Sequence, residues 1–173
     1  MVVKQEKLSS KIKYLFPIIL LYYFSISEID TVFSNYFEIL SFNLQLIIVY
    51  FWVLRNPSIL GYGNIFFAGI INDVIMSSQL GTSSLTYLTV SLVASYIRAM
   101  TVKITLFTDW FTFIVALFFS NFVYFVLIVN FTELNMNYTE LFYNTLFTFI
   151  FYPFFWLLFN SYISITGLKN NEG

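Results

Sequence analysis

The placement of charge constrains this chain more than any other feature. Its eight basic and nine acidic residues leave six charge-free runs of at least fourteen positions, at 14–27, 39–54, 56–72, 74–97, 110–132 and 141–168. A hydrocarbon core of about 30 Å takes about 20 helical residues, so six crossings use about 120 residues and leave short loops. The 173 residues are 59% hydrophobic and 10% charged, whereas a soluble domain carries about 25% charge. A soluble enzyme is thereby excluded. The pattern predicts an all-α integral membrane protein of six transmembrane helices near 13–30, 38–55, 59–77, 82–101, 109–131 and 140–163. A closed β-barrel would show apolar/polar alternation over roughly ten residues, which Phe147-Thr148-Phe149-Ile150-Phe151-Tyr152 does not continue. The six helices form one domain over 14–163, between a basic N-terminal segment, 1–13, and a tail, 164–173.

Orientation follows from the sign of the flanking charges. Lys4, Lys7, Lys11 and Lys13 precede the first span, Arg55 ends the second, Arg98 and Lys103 flank the exit of the fourth, and Lys169 follows the sixth. With an even number of crossings all eight fall on one side, and the opposite loops carry Glu28, Asp30, Glu133 and Glu140. Lys and Arg are retained in the cytoplasm, so both termini are expected there, in a multi-pass protein of a bacterial inner membrane. The first span reads as an uncleaved signal-anchor with Pro17 in its first turn, where the missing N–H costs little. Leu8 and Ile12 among the lysines fit either a short interfacial helix or a flexible positive tail.

The chemistry available to the chain is narrow. It has no Cys and no His, which removes disulfides, thiolate nucleophiles, imidazole bases and the usual metal ligands. No glycine-rich phosphate loop, paired-carboxylate helix face or nucleic-acid signature occurs. No catalytic residue, metal site or cofactor is expected, and the lipid bilayer is the first partner.

The informative polar residue is Asp73, in Gly69-Ile70-Ile71-Asn72-Asp73 near the outer end of the third span. A carboxylate at that depth needs a partner. Arg55 and Arg98 are expected at the opposite face, so the nearer candidates are the free N–H groups opening the fourth span and the hydroxyls of Ser77, Thr82, Ser83 and Ser84. Such contacts make Asp73 a pin for the hairpin between spans three and four. An interfacial Asp reaching water and a proton or ion pathway are the other two readings. Ser91, Ser95 and Ala99 recur every four residues on span four and permit close helix approach, with Gly69 as a partner position in this chain or the stripe facing another protein. Asn121, Asn130, Asn144 and Asn160 are expected to turn inward. The many Phe of the last two spans, among them Phe111, Phe113, Phe118, Phe122, Phe154 and Phe159, read as lipid-facing bulk or as a docking surface.

Tyr50-Phe51-Trp52-Val53-Leu54-Arg55-Asn56-Pro57, followed by Phe67-Ala68-Gly69-Ile70-Ile71-Asn72-Asp73-Val74-Ile75 and then Leu80-Gly81, resembles the bacterial rod shape-determining MreD family. That family shows an aromatic helix end running into Arg-x-Pro, then a Gly-Leu-Leu-x-Asp-like helix and a Leu-Gly turn, in this order. The resemblance is carried by residues 45–95. It implies that Trp52, Arg55 and Pro57 mark a cytoplasmic hairpin, and Gly69, Asp73, Leu80 and Gly81 the third helix and its outer turn. Ser77 and Gln79 stand where the family often has Gly and Pro. The family's function would make the chain a non-catalytic scaffold of the cell-elongation complex. It would support lateral peptidoglycan synthesis beside MreC first, then MreB, RodA and its transpeptidase partner, with homo-oligomers a further arrangement. The six-helix shape is also similar to the substrate-binding S components of vitamin transporters. That similarity supplies an alternative, a small-molecule binding subunit.

Overall fold

Helix length and capping divide the chain at places hydropathy does not show. The computed structural model describes residues 2–27, 42–101, 105–131 and 138–167, and every regular element among them is helical: α1 (Val2–Ile26), α2 (Leu44–Arg55), α3 (Pro57–Leu60), α4 (Tyr62–Ile75), α5 (Thr82–Met100), α6 (Leu106–Phe131) and α7 (Tyr138–Thr166). Glu28, Asp30, Lys103, Glu133 and Lys169, on which the orientation argument leans, lie outside the described residues.

α2 is the centre. Eleven of its twelve residues, all but Gln45, are buried, the signature of a helix that is apolar on every side and enclosed by others. Around it, α1, α4, α5, α6 and α7 stand in a ring in that order. The ring closes where Phe16 of α1 stacks on Tyr162 of α7 with centroids 4.4 Å apart. Beside α2, the ring of Phe113 from α6 lies 4.8 Å from Tyr50 and 4.5 Å from Tyr152 of α7. α6 and α7 are long and apolar enough to cross a bilayer, whereas α2, α4 and the apolar part of α1, Tyr14–Ile26, are shorter.

Three boundaries differ from the sequence reading. The helix expected over 38–55 is observed from Leu44, because the Asn43 side chain caps it by accepting the N–H of Leu46. The span expected over 59–77 is broken at Gly61, whose φ of +68° ends α3 and turns the chain into α4. Such a φ is readily reached only by glycine. Pro17 is not in a first turn, since α1 starts at Val2 and carries the proline in its interior.

Between α2 and α3 a single residue serves two helix ends. The backbone N–H of Asn56 donates to the Trp52 carbonyl and closes α2, while its side-chain oxygen accepts the N–H and hydroxyl of Ser58 and opens α3 at Pro57. Pro suits this first position because its missing N–H is one the helix would leave free.

α7 carries Pro153 in mid-helix. Proline removes the N–H that would have bonded to the carbonyl four residues earlier, here that of Phe149. The indole N–H of Trp110 on α6 donates to that carbonyl at 2.9 Å, and its ring stacks on the Phe149 ring at 5.2 Å. The defect in one helix thus becomes an attachment point for the next.

Candidate functional site

Two buried polar knots stand at opposite ends of α2. At the first, the α4–α5 turn wraps Asp73, which is fully buried. Its carboxylate accepts the Gly81 N–H at 2.8 Å, the Ser83 N–H at 2.9 Å and the Ser78 hydroxyl at 3.1 Å. The N–H groups are those left free at the start of α5, where the helix dipole also favours an anion. Gly81 is the N-cap of α5, with φ at +99°. Ser77 adopts φ +50° in the same turn, the left-handed conformation that glycine enters without strain.

The backbone N–H groups are donors of the expected kind, whereas the hydroxyl differs. The hydroxyls of Ser83 and Ser84 are engaged elsewhere, the first accepting from Asn72 at 3.0 Å and the second donating to the Phe66 carbonyl at 2.9 Å. The Ser78 hydroxyl takes their place. Gln45 of α2 extends the knot, donating to the Phe24 carbonyl of α1 at 2.8 Å and to Asn72 at 3.5 Å. Four helices therefore meet at this end.

Gly69 is part of the same hairpin. A Cβ at this position would run into the backbone of Ser84, so α4 and α5 touch main chain to main chain. The neighbour is Ser84 and not the Ser91, Ser95, Ala99 stripe proposed from sequence, because the close approach lies next to the turn. Along that stripe Ser91 is buried, Ser95 half-buried and bonded to the Tyr62 hydroxyl at 2.9 Å, and Ala99 exposed.

The second knot is an ion pair. Arg55, the last residue of α2, donates to Asp109 of α6 at 3.0 Å, and the two side chains are 3% and 1% exposed. The same carboxylate oxygen accepts the indole N–H of Trp156 on α7 at 2.7 Å. The guanidinium lies 3.7 Å from the Phe51 ring centroid and 5.4 Å from that of Trp156, where ring faces favour a cation. Next to it the Tyr50 hydroxyl bonds Thr112 at 2.7 Å. Arg55 is thus not a solvated flanking cation, as the orientation argument took it to be. Its charge is matched inside the bundle.

Asp109 is the site residue that sequence reading missed, although a signal existed. The fifth span was expected to begin at 109, at the face where Arg55 ends the second, so an acid and a base were already assigned to one membrane depth. Trp52, expected at the hairpin, lies one turn inside it, buried among Phe51, Phe159 and Tyr162. Pro57 opens α3, and Leu80 is exposed in the turn that holds Asp73. Among the asparagines, Asn121 does bridge helices, donating to Thr145 at 2.7 Å. Asn130 and Asn160 face outward, the former bonded to its own helix at Val126. The Phe residues divide: Phe113 and Phe159 are core, while Phe111, Phe118, Phe122 and Phe154 are exposed. Among the described residues no three Asp or Glu side chains gather where a metal ion could be held.

The knots consume charge instead of presenting it. Each carboxylate accepts hydrogen bonds from donors of the same chain, an arrangement suited to fixing helices against one another.

Comparison with known proteins gives one result. The family model described as rod shape-determining protein MreD matches residues 9–162, most of the chain. It lends no support to the vitamin-transporter alternative. Comparisons with curated proteins and with solved structures find no match.

Proposed function

We propose that this chain, which belongs to the rod shape-determining MreD family of membrane proteins, is an assembly subunit of the cell-elongation complex that works through contacts and without turnover of its own. The family match over residues 9–162 carries this reading. The geometry supports it: the two buried carboxylates are used to hold helices together, and the outer surface of α6 and α7 is apolar and rich in Phe.

In this reading six helices cross the inner membrane with both ends in the cytoplasm. Asp73 pins the α4–α5 hairpin, while Arg55 and Asp109 fix α2 to α6. MreC is the first partner expected, with MreB, RodA and its transpeptidase partner in the same assembly. The rigid bundle offers neighbouring membrane helices a fixed surface for van der Waals packing.

The test is depletion of the protein in its rod-shaped host together with purification in mild detergent and partner identification by mass spectrometry. Rounded cells and recovery of wall-synthesis proteins are the expected results. Cells that stay rod-shaped, or recovery of transporter ATPases in place of wall-synthesis proteins, overturn the reading.

A further inference from the structure

The ring around α2 is uneven in height. α4 has 14 residues, about 21 Å of helix, and the apolar part of α1, Tyr14–Ile26, about 20 Å. α6 and α7 have 26 and 29 residues, about 39 and 43 Å. α1 and α4 are neighbours, joined by the Tyr22 hydroxyl on Asn64 at 3.5 Å, so the short helix α4 and the short apolar stretch of the 25-residue α1 make one continuous face.

That face is apolar and outward. Ile19 and Tyr23 of α1 and Phe66, Phe67, Val74 and Ile75 of α4 are exposed. Beyond α4 the exposed turn is mixed, with Ser77, Ser78 and Gln79 between Met76 and Leu80, and Ser58 is exposed before α4. α3 does not extend the outward apolar surface, because its Ile59 and Leu60 are buried.

Tilt resolves mismatch in one direction only. A helix of about 39 Å fits a hydrocarbon core of about 30 Å by leaning, but leaning shortens the reach of a helix of about 21 Å still further. For a short helix the lipid must adapt or the polar ends must sink.

We propose that the α1–α4 face thins the bilayer beside it, gathering lipids with short or disordered acyl chains, while the α6–α7 side sits in membrane of ordinary thickness. The inference rests on the reading that α1 and α4 cross the membrane. The occupant of this face is lipid, since the feature that distinguishes it is its height.

The chain has no cysteine, so single-cysteine nitroxide labels can be placed without background. The full-length protein, reconstituted in dioleoyl phosphatidylcholine vesicles, is labelled at Gly63→Cys, Phe67→Cys or Ile75→Cys on α4, and at Phe111→Cys, Phe118→Cys or Val126→Cys on α6. All six positions are exposed, so the labels leave the packing intact. Depth is read from collisions with oxygen against a water-soluble nickel complex. Gly63 and Ile75 each lie about 9 Å from the midpoint between them, so in an unthinned core both labels rest about 6 Å beneath the headgroup boundary.

The expected result places the Gly63 and Ile75 labels at the boundary and Phe67 in hydrocarbon, with all three α6 labels oxygen-exposed and nickel-protected. Gly63 and Ile75 labels both found about 6 Å deep overturn the thinning while leaving the crossing intact. Nickel access at all three α4 positions overturns the crossing of α4, and the thinning with it.

Discussion

The α4–α5 hairpin and the α6–α7 pair solve the same packing problem by different means. α4 and α5 meet backbone to backbone at Gly69 and Ser84, and their turn is sewn to a buried carboxylate by two N–H groups. α6 and α7 approach each other less closely and are joined by side chains: Trp110 to the Phe149 carbonyl, Trp156 to Asp109, and Asn121 to Thr145. α7 has only Thr148, Tyr152 and Phe159 buried among its 29 residues. Within a bilayer lipid tails are as apolar as Leu, so association depends on close packing and hydrogen bonds. α7, rich in Phe and without Ala or Gly, approaches its neighbours less closely than α6 approaches α5 and relies on the second term.

Substitutions centred on four residues, Asp109, Asp73, Trp110 and Ser77, break or sharpen this contrast, each measured as the change in unfolding stability of the purified protein in mild detergent. Asp109→Ala strips Arg55 of its counter-charge and Trp156 of its acceptor. A loss of about 3–5 kcal/mol is expected, because a buried charge is left uncompensated. Adding Arg55→Met to Asp109→Leu should recover most of it, whereas an equal loss in the double variant would show that the pair itself stabilises the bundle. Asp73→Ala removes the acceptor from Gly81, Ser83 and Ser78, with an expected cost of about 2–3 kcal/mol. Asp73→Asn should cost less. Unchanged stability in both would remove the pinning role.

Trp110→Phe should cost about 1–2 kcal/mol by leaving the Phe149 carbonyl without a donor. In a Pro153→Ala background the restored N–H satisfies that carbonyl, so the same Trp110→Phe change should then cost little. An identical cost in both backgrounds would mean that ring packing, and not the hydrogen bond, holds α6 to α7. The smallest effect is a gain. Ser77→Gly relieves a left-handed φ and should stabilise the hairpin by about 1 kcal/mol; a loss would indicate that the serine side chain contributes to the turn.

What could be read from the sequence follows from how far each feature reaches along the chain. The helices over 82–101, 109–131 and 140–163 were expected close to where α5, α6 and α7 lie, because a charge-free run is a local signal. The neighbourhood of Asp73 was legible for the same reason, since its donors lie within ten residues. Arg55 and Asp109 are 54 residues apart, and the pairing was visible only as two opposite charges at one predicted depth. The break at Gly61 was not visible, because hydropathy carries no information on φ. The Trp110 contact was hidden too, since its acceptor is a main-chain oxygen freed by a proline four residues away.

The enclosure of α2 has a consequence for biogenesis. This segment leaves the ribosome before four of the five helices that surround it, so its apolar sides face lipid or the insertion machinery until its enclosure is complete. Closure falls to α7, the last to be made and the least buried along its length. A nascent chain arrested before residue 138 would lack the cover that Tyr152 and Phe159 give to Tyr50, Phe51 and Trp52.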